Sequence, residues 1–380
     1  MKSRRQFVGV FLLVALLGLA VFSSSRAPGP NGEIEDSVTA DYHGQIPKED
    51  SSPQSETIRA NLVSAVRTAC DGNDSRAHES AWAQLDARER DDYFKALTQS
   101  VSERLSESTS AEHLHVAALL ANDQERRFAL MDRAIAIDPT DAFLIWSAVQ
   151  MCSDREAPAQ CASRDWEGLL IAVDGENSES WIRIAANRYS QSEVDSALAA
   201  LRRASTAAES RAYWPEMVEM IERGFAASSD FPFPERVNLA FGFAAAMLPD
   251  YNDQYTMCKE QSKRDPEWAY ACLSYGELVE SQGKDEVGVS IARSLQRVAL
   301  EASGDTERAE EVARRIEARS RARLESSSEN VPIERFMMSN HAVFSAYLAA
   351  VKSEGEESAM RAMSVEYERQ LKLRPQMACE

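Results

Sequence analysis

At 380 residues the chain is longer than one ordinary domain and can bury a sizeable core. Its 15 Gly and 13 Pro are few beside its Ala, Leu, Glu, Arg and Ser, which suits helices and leaves little for strands. A formal charge of −19 repels phosphates and anionic headgroups, which argues against nucleic-acid binding.

The N-terminus carries the strongest local signal. Lys2, Arg4 and Arg5 precede an unbroken apolar run from Phe7 to Phe22, then Ser23, Ser24, Ser25 and Arg26. A basic start followed by apolar residues directs a chain to the export machinery and keeps the basic end cytoplasmic. The run is long for a signal peptide and short for a full span. Residues 1–26 therefore read as an uncleaved single-pass anchor, with a signal peptide cut near Ser23 or Ser25 as the alternative. The expected location is a bacterial-type inner membrane with the body in the periplasm, or the periplasm or exterior after cleavage.

Residues 27–56 are Pro-, Gly-, Ser- and acid-rich without hydrophobic periodicity and read as a disordered tether. Helices are expected over residues 57–108. Ile58, Leu62, Val63 and Val66 fall at helical spacing in Thr57–Cys70, and two more follow near Ser75–Leu85 and Ala87–Leu105. Between the first two, Asp71-Gly-Asn-Asp74 reads as a turn, because the twelve-residue calcium-loop pattern is missing.

The middle of the chain repeats. Trp146, Trp181 and Trp214 are 35 and 33 residues apart, each near the start of a predicted helix. Ala134-Ile-Ala-Ile-Asp-Pro-Thr-Asp141 is echoed by Leu170-Ile-Ala-Val-Asp-Gly-Glu-Asn177, an apolar helix end meeting an Asp and a turn residue before the next helix. A period near 34 with this grammar marks stacked helix pairs. Trp181, Ala185, Ala197, Leu201 and Ala204, with Ala134 and Pro139 closing the preceding unit, resemble the large and small packing positions of the tetratricopeptide repeat (TPR) family. The likeness covers roughly residues 111–225 within a repeat region at 109–228. It departs from the family in a short first unit, a loop interrupting the second and no Pro where the third should end. It implies an all-α, TPR-like α-solenoid of antiparallel helix pairs. A partner groove would be lined by the first helix of each unit, at Phe143, Gln150, Arg183, Asn187 and Met217. Packing needs make core filling the first reading of Trp146, Trp181, Trp214, Tyr189 and Tyr213.

Residues 229–380 form a divergent helical C-terminal region. Phe231-Pro-Phe-Pro-Glu235 reads as a helix-ending turn with its rings on the core. Helices are predicted at Glu235–Met247, Tyr251–Arg264, Pro266–Gln282, Val287–Ala302, Asp305–Glu325, Pro332–Lys352 and Gly355–Leu373. Arg314, Arg315, Arg319, Arg321 and Arg323 alternate with Glu310, Glu311 and Glu317. That pattern reads as an exposed helix with i, i+4 ion pairs rather than a patch for an acidic partner.

Six cysteines downstream of an export signal read as disulfides. Proximity favours Cys152 with Cys161 and Cys258 with Cys272, which leaves Cys70 with Cys379. No C-x-x-C is present, against a thioredoxin-like centre or a zinc ribbon. Nucleophile elbow, Walker loop, dinucleotide fingerprint and H-E-x-x-H are all missing. His113 and His115 stand two apart and cannot chelate together from one helix face. The expectation is a non-catalytic protein-interaction or scaffold module of the cell envelope that binds a protein or peptide partner, with no cofactor and no metal. The alternative is an enzyme or accessory subunit of envelope biogenesis whose active groups follow no motif.

Overall fold

The computed structural model describes residues 87–153, 157, 159–248 and 251–373. The N-terminal segment, the tether, the helices expected before Ala87, and Cys70 and Cys379 lie outside the described residues. The described part is all-α, as composition and periodicity predict, with fifteen α-helices and one short 3-10 turn at Ala159–Ser163. Among the described residues no helix is long and apolar enough to cross a membrane.

The first seven helices are α1 (Ala87–Leu105), α2 (Ala111–Leu120), α3 (Gln124–Ile137), α4 (Ala142–Cys152), α5 (Trp166–Asp174), α6 (Ser178–Ser190) and α7 (Val194–Ala204). Short polar side chains set their starts by accepting otherwise unpaired first-turn N–H groups. Ser110, Asp123 and Asp165 do this for α2, α3 and α5. In the two halves of the repeated phrase, Asp141 accepts from the Phe143 and Leu144 amides and Asn177 from the Glu179 amide. The echo seen in sequence is thus one device used twice, an apolar helix end, a turn and a capping side chain.

The remaining helices are α8 (Trp214–Ser228), α9 (Phe233–Ala246), α10 (Tyr251–Gln261), α11 (Pro266–Gln282), α12 (Glu286–Ser303), α13 (Thr306–Ser339), α14 (His341–Glu354) and α15 (Glu356–Leu373). Where two helices were predicted within 305–352, the structure has α13 running through Pro332 and breaking at Asn340. Pro332 removes one backbone donor and does not end the helix. Asn340 does, by accepting from the Ala342 and Val343 amides at the head of α14.

Neighbours in sequence pack against one another, α2 with α3, α6 with α7, α8 with α9, α11 with α12 and α14 with α15. Spatial order then departs from chain order. α7 packs on α11 and α6 on α10, whereas α8 packs on α1, α2 and α14. Trp214 also departs from the repeat. It is the first residue of α8, whereas Trp146 and Trp181 lie one turn inside α4 and α6, so the third tryptophan keeps the spacing but not the helical position.

Two cores result. The larger joins α1–α5, α8, α9, α14, α15 and the C-terminal end of α13, through Leu114, Met131, Trp146, Ile221, Phe225, Phe336 and Phe344. The smaller joins α6, α7, α10, α11 and α12, through Ile182, Leu201, Trp268, Tyr275 and Leu295. α13 begins on a small cluster of Leu300, Ala309 and Val312 and ends in the larger core, so it ties the two bodies together. Backbones approach closely where α11 meets α12, since a Cβ on Gly276 would lie 2.7 Å from the Ala292 carbonyl oxygen.

The Cys152–Cys161 and Cys258–Cys272 bonds preferred on proximity are present, with Cα atoms 5.4 and 5.9 Å apart. The first closes the loop after α4 and the second clips α10 to α11. The arginine-rich stretch of α13 pairs partly along its own helix, Arg314 with Glu311 and Arg321 with Glu317. It also pairs between helices, Arg315 with Glu280 on α11, and Arg319 with Glu286 on α12 and Glu357 on α15. The expected local ladder is therefore half of the arrangement, and the other half cements α13 to its neighbours.

Candidate functional site

The two cores meet at the segment between α7 and α8, residues 205–213. This stretch is stitched to the turn between α5 and α6. Ser178 donates to the Glu209 carbonyl (2.8 Å), and the Ala208 and Glu209 amides donate to the Glu176 carbonyl (3.0 and 3.1 Å). Asn177, fully buried, is the clamp. Its side-chain amide donates to the Arg211 carbonyl and to Asp174 Oδ2, both at 2.9 Å, and its oxygen accepts from the Arg211 amide at 2.9 Å. Asp174 also accepts from the Ser180 hydroxyl (2.5 Å) and the Arg211 guanidinium (3.3 Å).

The clamped segment ends on Tyr213, which has φ +58°, a left-handed conformation unfavourable for a bulky side chain. Its ring stacks on Phe143 (5.3 Å) and lies 5.7 Å from Trp146. Its hydroxyl accepts from Arg211 (3.2 Å). Strain held by surrounding structure marks a position worth testing for function.

Beside Tyr213 opens a cavity of about 350 Å³. One wall is the 209–213 segment with Trp214, Pro215 and Glu216 at the head of α8. The other is Ser281 and Gln282 at the end of α11, with Lys284, Asp285 and Lys352. The size fits one side chain or a small molecule, and walls from both bodies make it the natural place for a ligand.

Behind it lies a buried polar group drawn from α6, α10, α11 and the head of α12. Glu179 accepts from the Tyr275 hydroxyl (2.9 Å) and from Ser210 (3.4 Å), which lines the cavity. Burial first, then Asp285, raises the Glu179 carboxyl to about 7, against the opposing pull of Tyr275, Arg183 and Ser210. Arg183, one turn along α6, is 9 % exposed and stacks on the Trp146 ring (4.2 Å). Burial lowers its guanidinium to about 10, with Glu179, Tyr251 and Tyr275 opposing. Tyr251 and Tyr275 are pushed well above the phenol range by burial, reinforced by Glu179 and Asp285.

The five groove residues implied by the repeat resemblance do not share one surface. Phe143 and Met217 are buried in the larger core, and neither offers a face to a partner. Gln150 donates to the Met247 carbonyl and Asn187 to Glu167, so both are committed to holding helices together. Arg183 lies behind the cavity. Of the aromatic residues, Trp146 and Tyr213 fill the core, whereas Trp181, Tyr189 and Trp214 are half-buried, Trp181 donating to the Gly175 carbonyl. His115 is buried against Phe143 and held neutral, its ionisation lowered to about 3 by burial, while His113 meets Ser108. Among the described residues no group of three or more His, Cys, Asp or Glu is placed to hold a metal ion.

Sequence reasoning passed over Glu179, Asp285, Arg211 and Glu216. Asn177 was visible in the repeated phrase, and its capping position was the available sign that the α5–α6 turn holds something in place. No protein-family model matches this chain and no curated protein matches it in sequence, so its function has to be argued from this site.

Proposed function

We propose that this chain is a non-catalytic interaction module of the cell envelope that holds a protein or peptide partner at the cavity between its two helical bodies. The observation carrying the reading is the strained, clamped Tyr213 at the wall of a side-chain-sized cavity to which both bodies contribute. TPR-like helix pairs at α3–α7 run from the larger body into the smaller one, and their close packing holds the 205–213 segment against the α5–α6 turn. The two disulfides suit an oxidising compartment, in keeping with the basic-then-apolar N-terminus. A second reading, an enzyme without a motif, draws on the raised carboxyl of Glu179 beside Tyr275. Glu179 lies behind the cavity wall rather than on it, which favours the binding reading.

The test places a photo-cross-linking residue at Trp214 in the full-length chain in intact cells, with the exposed Tyr270 as control position. One protein captured at 214 and not at 270 supports the reading. Equal capture at both positions, or none at 214, overturns it.

A further inference from the structure

Glu179 stands where a change of charge reaches the cavity. It is 5 % exposed at the head of α6, and its hydrogen-bond partners are two neutral hydroxyls, Tyr275 on α11 and Ser210 on the 205–213 segment. Ser210 lines the cavity beside Arg211 and Tyr213. Each neighbouring element brings its own charged or titratable groups. On α6 itself Arg183 lies on the Trp146 ring and, among the described residues, makes no ion pair with Glu179. At the head of α12 Asp285, 8 % exposed, is a second buried carboxyl that also lines the cavity. α11 contributes Tyr275, and α10 contributes Tyr251, whose hydroxyl is sealed from solvent with no hydrogen-bond partner among the described residues. On the 205–213 segment Glu209 and Arg211 pair with each other, and Arg211 also pairs with Asp174 of α5. On α7 the charged residues Asp195, Arg202 and Arg203 are exposed.

Ionising Glu179 therefore puts a negative charge into a buried site that offers two hydroxyls, an arginine out of ion-pair reach and a like charge on Asp285. Loss of solvent and the like charge both favour the proton, in keeping with a carboxyl raised to about 7. No histidine occurs in α5–α7, α10–α12 or the 205–213 segment, so no unperturbed side chain there changes charge near neutrality. The Asn177 clamp fixes the 205–213 segment to the head of α6, and the Glu179–Tyr275 bond ties that unit to α11. Glu179 lies behind the 209–213 wall and Asp285 is in the facing one, so repulsion between them acts to part the two walls. Water reaches the charge only when they part, so ionisation favours the opened arrangement.

We infer that Glu179 is a pH-sensitive latch on this cavity: in its acid form it holds the clamped 205–213 wall against α11 and α12, and in its ionised form it lets the two walls part and the hold on the partner weaken. The inference rests on the binding reading above and adds how that same site is regulated. A wall already in place lowers the cost of binding, so the acid form binds more tightly.

In the full-length protein labelled with 5-fluorotryptophan, the Trp214 resonance, identified by its loss in Trp214→Phe, reports on the wall without needing the partner. Its solvent isotope shift, which measures exposure, is expected to rise about twofold from pH 5.5 to 8.5 with one midpoint near neutrality. Trp166, buried in the larger core, is expected to stay level. Glu179→Gln, fixed in the uncharged form, is expected to show no rise. Tyr275→Phe takes a hydroxyl from the carboxylate and moves the midpoint up, and Asp285→Asn removes the like charge and moves it down. If Glu179→Gln fails to fold, these opposite shifts still read the latch. A level Trp214 signal in the wild type, the same rise in Glu179→Gln, or midpoints unmoved in both other variants overturns the inference. Cross-linked capture at position 214 in isolated membranes is expected to fall about tenfold from pH 5.5 to 8.5. Equal capture at both pH values overturns the latch and leaves the binding reading standing, and capture at neither overturns both.

Discussion

Glu179 gives the sharpest test of the reasoning, because two opposed effects act on it and the structure says which wins. Burial favours the protonated acid and Arg183 favours the carboxylate, yet no ion pair joins Glu179 to Arg183 and burial is the larger effect. A carboxyl whose folded-state value is raised from 4.5 to about 7 holds its proton in the native protein after the unfolded chain has lost it. Its contribution to stability is therefore fully present below about pH 4.5, declines as pH rises, and is level again above about 7. The full difference is about 3 kcal/mol as an upper figure, from 1.36 kcal/mol per unit. Glu179→Gln imitates the protonated acid at every pH and keeps an oxygen for Tyr275 and Ser210. Urea unfolding of both proteins at half-unit intervals from pH 4.5 to 8.5 is expected to show equal stability at the acid end and a more stable variant above pH 7. Asp285, itself raised by burial, adds a slope of the same sign to both proteins, and the part of its charge that acts on Glu179 appears in the difference as a steeper fall for the wild type. A constant difference across the range, or a less stable variant at pH 8, would mean that Glu179 is ionised and held by Arg183, and the account of this group would be withdrawn.

Asn177→Ala removes two donated and two accepted hydrogen bonds at a fully buried clamp, and a loss of about 2–4 kcal/mol is expected in denaturant unfolding. Gly276→Ala drives a methyl into the Ala292 carbonyl and is expected to cost about 1–3 kcal/mol, read as a lowered melting temperature. Replacing Cys258 and Cys272 together by Ser opens a loop of separation 14 and is expected to cost about 3 kcal/mol. Reductant should then lower the melting temperature of the wild type by more than that of the double variant, and equal shifts would place the reductant's effect at Cys152–Cys161.

Helix positions were legible in the sequence wherever an end carried its own signal. Asp265 followed by Pro266 opens α11 where predicted, and the turn signals at Asp138 and Asp174 mark the ends of α3 and α5. Helices were predicted to end at Glu325 and restart at Pro332, but one helix runs on to the capping Asn340. The packing partners were less legible. A tryptophan spacing of 33 says nothing about whether Trp214 begins its helix or lies a turn inside it, nor about which neighbours α8 meets. The site was the least legible part. Glu179 is one of 61 acidic residues in the sequence, and nothing in its neighbours along the chain announces that Tyr275, 96 residues later, will bury it. Arg183 stood out only through the repeat analogy, which placed it on a groove and not on the Trp146 ring.

The weave of the chain between two cores bears on how such a protein is made. It builds part of the larger core, leaves to start the smaller one, returns through α8 and α9, leaves again for α10–α12, and comes back along α13. A stack of repeats can gain stability one unit at a time as it emerges from a pore. Here Phe128 and Leu144 belong to a core that is not closed until Phe344 and Met363 arrive, about two hundred residues later. Contacts of that sequence separation slow folding and leave apolar surface uncovered meanwhile. A chain delivered across a membrane from its N-terminus would hold half-built cores throughout its passage, and loss of α14 and α15 would be felt as far back as α1 and α2.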